Sequence, residues 1–279
     1  MRIWEAIIYA ICGGICELLP MSFSGHVAAL QNAFHLSPLS EGGGAYVRAA
    51  ITLGVIVAIL LAFPSEMGST RQSIRLMRQK RRPRRGENRE RLQIRTVRLC
   101  FFALVPMLLS FLYLAPAERI GRLPVIAVFF AINGAFIYRC CRGQAGQRME
   151  RNLTLLDTLA MGLARMLSVF PGLSSVGSSL AVGRAFSLEP RCNLRLTYTI
   201  TLGYEIAALI YYTLRAVLVG SFSGMILLTC LLTVVCTAAV GYFALQYARY
   251  LLEKNQLKFF AYYSWDAAVI VLILALINS

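Results

Sequence analysis

Six apolar blocks, each about 18 to 25 residues long, limit what this chain can fold into: Tyr46–Phe63, Cys100–Pro116, Leu123–Cys141, Arg195–Val217, Phe222–Tyr247 and Phe259–Ile277. A helix needs about 20 apolar residues to cross a hydrocarbon core about 30 Å thick. Backbone amides and carbonyls find no water there and must pair within the helix. The blocks therefore read as membrane-spanning helices. Only 15% of the 279 residues are charged and 58% are hydrophobic, against about 25% charged in a soluble domain, which excludes an ordinary soluble enzyme. Arg2 and the run Ile7–Cys16 resemble a signal peptide, but Glu17 and His26 follow without a cleavage site, so the stretch is expected in the mature protein.

The formal net charge of +15 looks out of place until it is located. Of the 28 basic residues, 12 lie between Arg71 and Arg98, with only Glu87 and Glu90 among them. Lying between two spans, the run Lys80-Arg81-Arg82-Pro83-Arg84-Arg85 is explained by the excess of Lys and Arg in cytoplasmic loops, without a nucleic-acid ligand. Attraction to anionic membrane lipids is a by-product. The eight cysteines are scattered through apolar segments and show no metal-binding spacing, so they read as small packing residues.

Two further apolar segments are interrupted. Ile3–Phe34 and Leu155–Phe186 are each broken near the middle by a proline, serines and glycines. Non-helical backbone at membrane depth is tolerated where it is buried in protein or lines a wet cavity, so both read as re-entrant hairpins. With the basic loop, about residues 65–99, in the cytoplasm, Arg139, Arg142, Arg148 and Arg151 return to that side, and later Arg249, Lys254 and Lys258 do too. The first hairpin then enters from outside, the second from the cytoplasm, and both termini are external. Thr52-Leu53-Gly54 and Thr201-Leu202-Gly203 follow Pro20 and Pro171 by 32 and 30 residues. The expected architecture is an all-α polytopic integral membrane protein of about six transmembrane helices plus two re-entrant helical hairpins in an inverted-topology repeat. It forms one membrane domain, 1–279, with repeat one at about 1–116 and repeat two at about 123–279. Such repeats place a binding site where the broken elements meet.

The breaks carry the chemistry-bearing residues. Glu17, Ser22, Ser24 and His26 put a carboxylate, two hydroxyls and an imidazole in one stretch, the makings of a metal ligand, a nucleophile and a general base. An ionisable residue inside an apolar segment is costly unless paired or hydrated. In the second break, Gly172, Ser174, Ser175 and Gly177 offer backbone amides and hydroxyls of the kind that hold phosphate. Arg165, six residues before Pro171, either reaches that phosphate or snorkels to the interface. Glu205 and Asp266 stand in later spans as candidate buried partners.

These motifs resemble the undecaprenyl-diphosphate phosphatase family, the bacitracin-resistance type of integral membrane phosphatase. The resemblance covers Gly13-Gly14-Ile15-Cys16-Glu17-Leu18-Leu19-Pro20-Met21-Ser22-Phe23-Ser24-Gly25-His26, Thr52-Leu53-Gly54, Asp157 with Gly162-Leu163-Ala164, and Pro171-Gly172-Leu173-Ser174-Ser175-Val176-Gly177. It implies two inverted repeats around an outward-opening pocket for a polyprenyl diphosphate lipid, in a bacterial inner membrane, with a divalent cation (Mg or Ca) near Glu17. The implied activity removes the terminal phosphate so that the carrier is reused in cell-wall synthesis. A homodimer is compatible with this picture.

The departures fall on the chemistry. Gly13 replaces the first glutamate of the motif, Phe23 its central serine, and Ser175 and Val176 the arginine and serine of the second motif. These changes remove a cation ligand, a nucleophile and a cationic clamp, groups that phosphoryl transfer needs. Ser22 or Ser24 with His26, Arg165 and Glu205 are the residues that can compensate. The alternative is a catalytically degenerate member that binds or translocates the carrier.

Overall fold

A computed structural model describes residues 1–79, 88–118, 120–142, 144, 146–219 and 223–277. The first interrupted segment forms α1 (Ile3–Cys16) and α2 (Phe23–Phe34), followed by the span α3 (Gly42–Ala62). Then come α4 (Pro64–Arg78), α5 (Asn88–Glu118) and α6 (Leu123–Cys140). The second interrupted segment forms α7 (Leu155–Leu167) and α8 (Ser175–Ala185), followed by α9 (Pro190–Val219), α10 (Gly224–Glu253) and α11 (Phe259–Ile277). Among the described residues six helices, α3, α5, α6, α9, α10 and α11, are long and apolar enough to cross a membrane. Their outward faces carry large exposed apolar side chains such as Phe101, Val105, Leu112, Val235 and Ile270. In water such a surface would aggregate; in lipid it costs nothing.

Two expectations are corrected by the helices themselves. Pro116 does not end the second span, because α5 continues to Glu118 and also contains Pro106. The basic stretch is not simply a loop: α4 occupies Pro64–Arg78 and α5 starts at Asn88. The cause is a stripe at every third residue, Met67, Thr70, Ser73 and Leu76, which is buried while Arg71, Arg75 and Arg78 stay exposed. The run Lys80–Arg85 and Glu87 lie outside the described residues, as does Phe222.

The interhelical contacts show an exchange pattern. Helix α1 packs on α10, and α7 packs on α5; α3 packs on α9, and α6 on α11. Matching α1, α3, α5 and α6 with α7, α9, α10 and α11 maps these pairs onto one another. The central core joins α1, α3, α9 and α10 through buried Tyr9, Ile51, Val55, Ile59, Tyr198 and Leu245. This packing brings the breaks of the two interrupted segments face to face.

Candidate functional site

Each break restarts its second helix with a serine cap. Ser22 and Ser174 sit in extended backbone, and each side-chain oxygen accepts from the amide three residues on, that of Gly25 (3.2 Å) and Gly177 (3.0 Å). The two breaks are then tied together: the Gly172 amide donates to Ser22 Oγ at 2.9 Å. Gly172 has φ +110°, and a Cβ there would lie 2.7 Å from the Phe129 Cβ and 2.8 Å from the Ile126 carbonyl oxygen. Only glycine meets both conditions without strain. Neighbouring spans complete the frame. The Ser174 amide donates to Asn133 on α6, whose amide nitrogen donates to Ser264 on α11, both at 2.9 Å. The Tyr198 hydroxyl on α9 donates to the Leu18 carbonyl at 2.6 Å. Buried break backbone is thus paired with side chains, as a low-dielectric interior demands.

Against this frame lies a cavity of about 700 Å³. Its polar wall includes Glu17, Ser24, Arg48, Arg165, Ser168, Ser175, Tyr204 and Tyr212; its apolar wall includes Phe23, Val27, Leu114, Val169 and Leu173. His35, Pro38 and Ser40 from the α2–α3 connection, with Ile120 and Gly121 from the α5–α6 connection, also line it. Those connections join the ends of α3 and α5 opposite the basic stretch, so the cavity lies toward that end.

Two ion pairs of exchanged polarity flank the cavity. Arg48 of α3 donates to Glu17 at 2.8 Å, whereas Arg165 of α7 donates to Glu205 of α9 at 2.9 Å and to Thr201 at 3.2 Å. The second pair is almost fully buried, with side chains 2% and 3% exposed. Each guanidinium also lies over aromatic rings, Arg48 over Phe23 and Tyr212 and Arg165 over Tyr204, at 4.4 to 4.8 Å from the ring centres. Among the described residues the charged side chains lining the cavity are Glu17, Arg48, Arg165 and Arg215. The guanidiniums of Arg48 and Arg165 give this wall donors of the kind that hold an anionic guest.

The structure brings Glu17, Ser24, Arg165 and Ser175 to one cavity. Ser22 is absent from its wall, because its oxygen is committed to the amides of Gly25 and Gly172. His26 is absent too. Its Nδ1 bonds the Ser22 carbonyl and its Nε2 meets the Tyr263 hydroxyl at 2.6 Å. A carbonyl can only accept, so Nδ1 carries the proton, and in the neutral ring Nε2 accepts from Tyr263. Gly172, Ser174 and Gly177 build the frame rather than the wall. Glu205 reaches the site through Arg165, and Asp266 is exposed on α11. Sequence reasoning missed Arg48, Asn133 and Tyr198. For the first two the signal was available: each is a strongly polar residue inside an apolar span.

The donors do not fit a resident divalent ion. Glu17 is, among the described residues, the one carboxylate in the cavity wall, and it already binds Arg48. Among the described residues no three His, Cys, Asp or Glu side chains cluster. A Cβ at Gly13, where the resembled motif has its other carboxylate, would overlap the Ile51 side chain.

Comparison with known proteins places the chain among relatives of one family. The chain is 27% identical over 277 residues to a protein named undecaprenyl-diphosphatase from Methanobrevibacter smithii, covering 97% of each chain. Another of that name from Gemmatimonas aurantiaca is 28% identical over 212 residues, 75% of this chain and 76% of the relative. A third, from Rubrobacter xylanophilus, is 26% identical over 284 residues, 99% of this chain and all of the relative. The profile of the family described as bacitracin resistance protein BacA matches residues 6–270, so the chain belongs to that family.

Proposed function

We propose that the chain is an undecaprenyl-diphosphate phosphatase-type hydrolase that removes the terminal phosphate of the polyprenyl diphosphate carrier, returning the carrier to cell-wall synthesis. The observation that carries this reading is the cavity at the meeting of the two breaks: a polar wall bearing arginines beside an apolar one, in a BacA-family chain. A lipid diphosphate needs both, guanidiniums for the phosphate oxygens and apolar surface for the first isoprene units. In the reaction an oxygen from water ends on the terminal phosphorus, the bond from that phosphorus to the bridging oxygen breaks, and inorganic phosphate and the lipid monophosphate leave. Arg48 and Arg165 hold the charge that builds on the phosphate oxygens, and Ser24 offers a hydroxyl at the cavity wall.

In this reading α1–α2 and α7–α8 are re-entrant hairpins, each followed by three spans. An odd number of crossings inverts the second set relative to the first, which places α6 with repeat one. With the basic stretch cytoplasmic, the cavity lies toward the external face of the bacterial inner membrane, and both termini are external. The carrier-binding alternative has no observation in its favour beyond the altered motifs. Purified protein in nanodiscs, given undecaprenyl diphosphate, should release inorganic phosphate and lipid monophosphate one for one. Lipid binding without phosphate release would favour the binder instead.

A further inference from the structure

Arg48 is a cation that none of the motifs announces. Its Nη2 donates to Glu17 and lies 3.4 Å from the Tyr212 hydroxyl, whereas Nη1 has no hydrogen-bond partner among the described residues. The guanidinium is clamped between the Phe23 and Tyr212 rings, 4.4 and 4.6 Å from their centres. A guanidinium presents five donors in a fixed plane, and leaving a buried one unmet costs free energy that a ligand can recover. The complement of a stacked, half-used guanidinium fork is a phosphate edge, which accepts two parallel bonds.

Phe23 gives this placement a second meaning. It stands where the resembled motif has a serine, and here its face carries Arg48. Among the described residues the same cavity has one carboxylate, already paired with that arginine, and a Cβ at Gly13 would overlap the Ile51 side chain. Phe23, Glu17 and Arg48 thus form one contact group at the cavity wall.

We propose that Arg48 is a phosphate-binding residue of this site. Together with Arg165 it supplies the positive charge that a divalent cation would otherwise bring, so that turnover proceeds without such a cation. The proposal rests on the hydrolase reading, and its test separates the two. Phosphate release from undecaprenyl diphosphate is measured in nanodiscs with EDTA, and again with added magnesium or calcium. The wild type should keep its rate in EDTA within about twofold. Arg48→Gln should lose about 100-fold in kcat/KM. Arg48→Lys, which keeps the charge but not the fork, should recover only part of it. Added guanidinium should raise the rate of Arg48→Ala, which no purely structural role explains. Loss of wild-type activity in EDTA with recovery in magnesium overturns the proposal, as does full activity of Arg48→Gln. If the wild type releases no phosphate under any condition, the hydrolase reading fails, and binding of undecaprenyl diphosphate in EDTA decides the role of Arg48. Affinity at least about tenfold weaker in Arg48→Gln upholds it; equal affinity, or no binding by the wild type, overturns it.

Discussion

Removing Arg165 alone should damage the fold and the site by different amounts, and the two can be separated. Its guanidinium and the Glu205 carboxylate are 2.9 Å apart and almost wholly out of solvent. Opposite charges about 4 Å apart at an effective dielectric constant near 20 attract by about 4 kcal/mol. Mutational experience with buried pairs that lose one partner gives about 3 to 5 kcal/mol. Arg165→Met therefore leaves Glu205 as an unpaired buried carboxylate and should cost that much in unfolding free energy. The double variant Arg165→Met with Glu205→Leu removes both charges. It should return to within about 1 kcal/mol of the wild type, because an apolar pair of similar volume suits this environment. Denaturant unfolding in mixed micelles supplies the four stabilities of a double-mutant cycle, and the coupling should be about 3 kcal/mol. Phosphate release by the stabilised double variant should stay about 100-fold down, since the cation at the cavity wall is gone. Additive costs, with coupling below about 0.5 kcal/mol, would refute the ion pair; wild-type turnover by the double variant would refute its place in the site.

Three other expectations follow from the same geometry. Ser22→Ala orphans the buried amides of Gly25 and Gly172 and should cost about 2 to 5 kcal/mol by denaturant unfolding, whereas Ser24→Ala should be neutral in stability and lower phosphate release about 100-fold. Gly172→Ala combines a left-handed backbone with overlap on Phe129 and Ile126, and its unfolding free energy should fall by about 2 to 5 kcal/mol. Asp157, at the start of α7 and outside the six spans, is pushed up by burial but held below the usual carboxylate range overall by hydrogen bonds from Arg148 and Thr154. Its contribution to stability is therefore complete above the unfolded value of about 4 and is lost as pH falls through the lowered folded value. Thermal melts taken downward from pH 5 should show a steeper loss in the wild type than in Asp157→Asn.

Apolar run length and the punctuation of two runs by proline, serine and glycine made the six spans and both breaks legible. The segment broken around Pro20 stops its first helix at Cys16 and resumes at Phe23; the one around Pro171 stops at Leu167 and resumes at Ser175. Arg48 was visible as a polar residue inside an apolar span, but its pairing was not, because Glu17 lies 31 residues away at the end of another helix and such pairings are not written in a local pattern. Ser24 and His26 were grouped by closeness in sequence, but both lie on α2 two positions apart, and residues so spaced on a helix do not share a face. One consequently meets the cavity and the other Phe130 and Tyr263. The stripe of α4 was masked by the arginines between its buried positions, since charge dominates any average over that window.

In the proposed reaction, phosphoryl chemistry takes place in the cavity where the two breaks meet. The rate of phosphate release from undecaprenyl diphosphate, compared between the wild type and Glu17→Gln at matched folded fractions, tests it most directly. Glu17 lines that cavity and holds Arg48 in place, so the variant should lose about 100-fold in turnover. Equal rates in the two proteins would put the chemistry elsewhere.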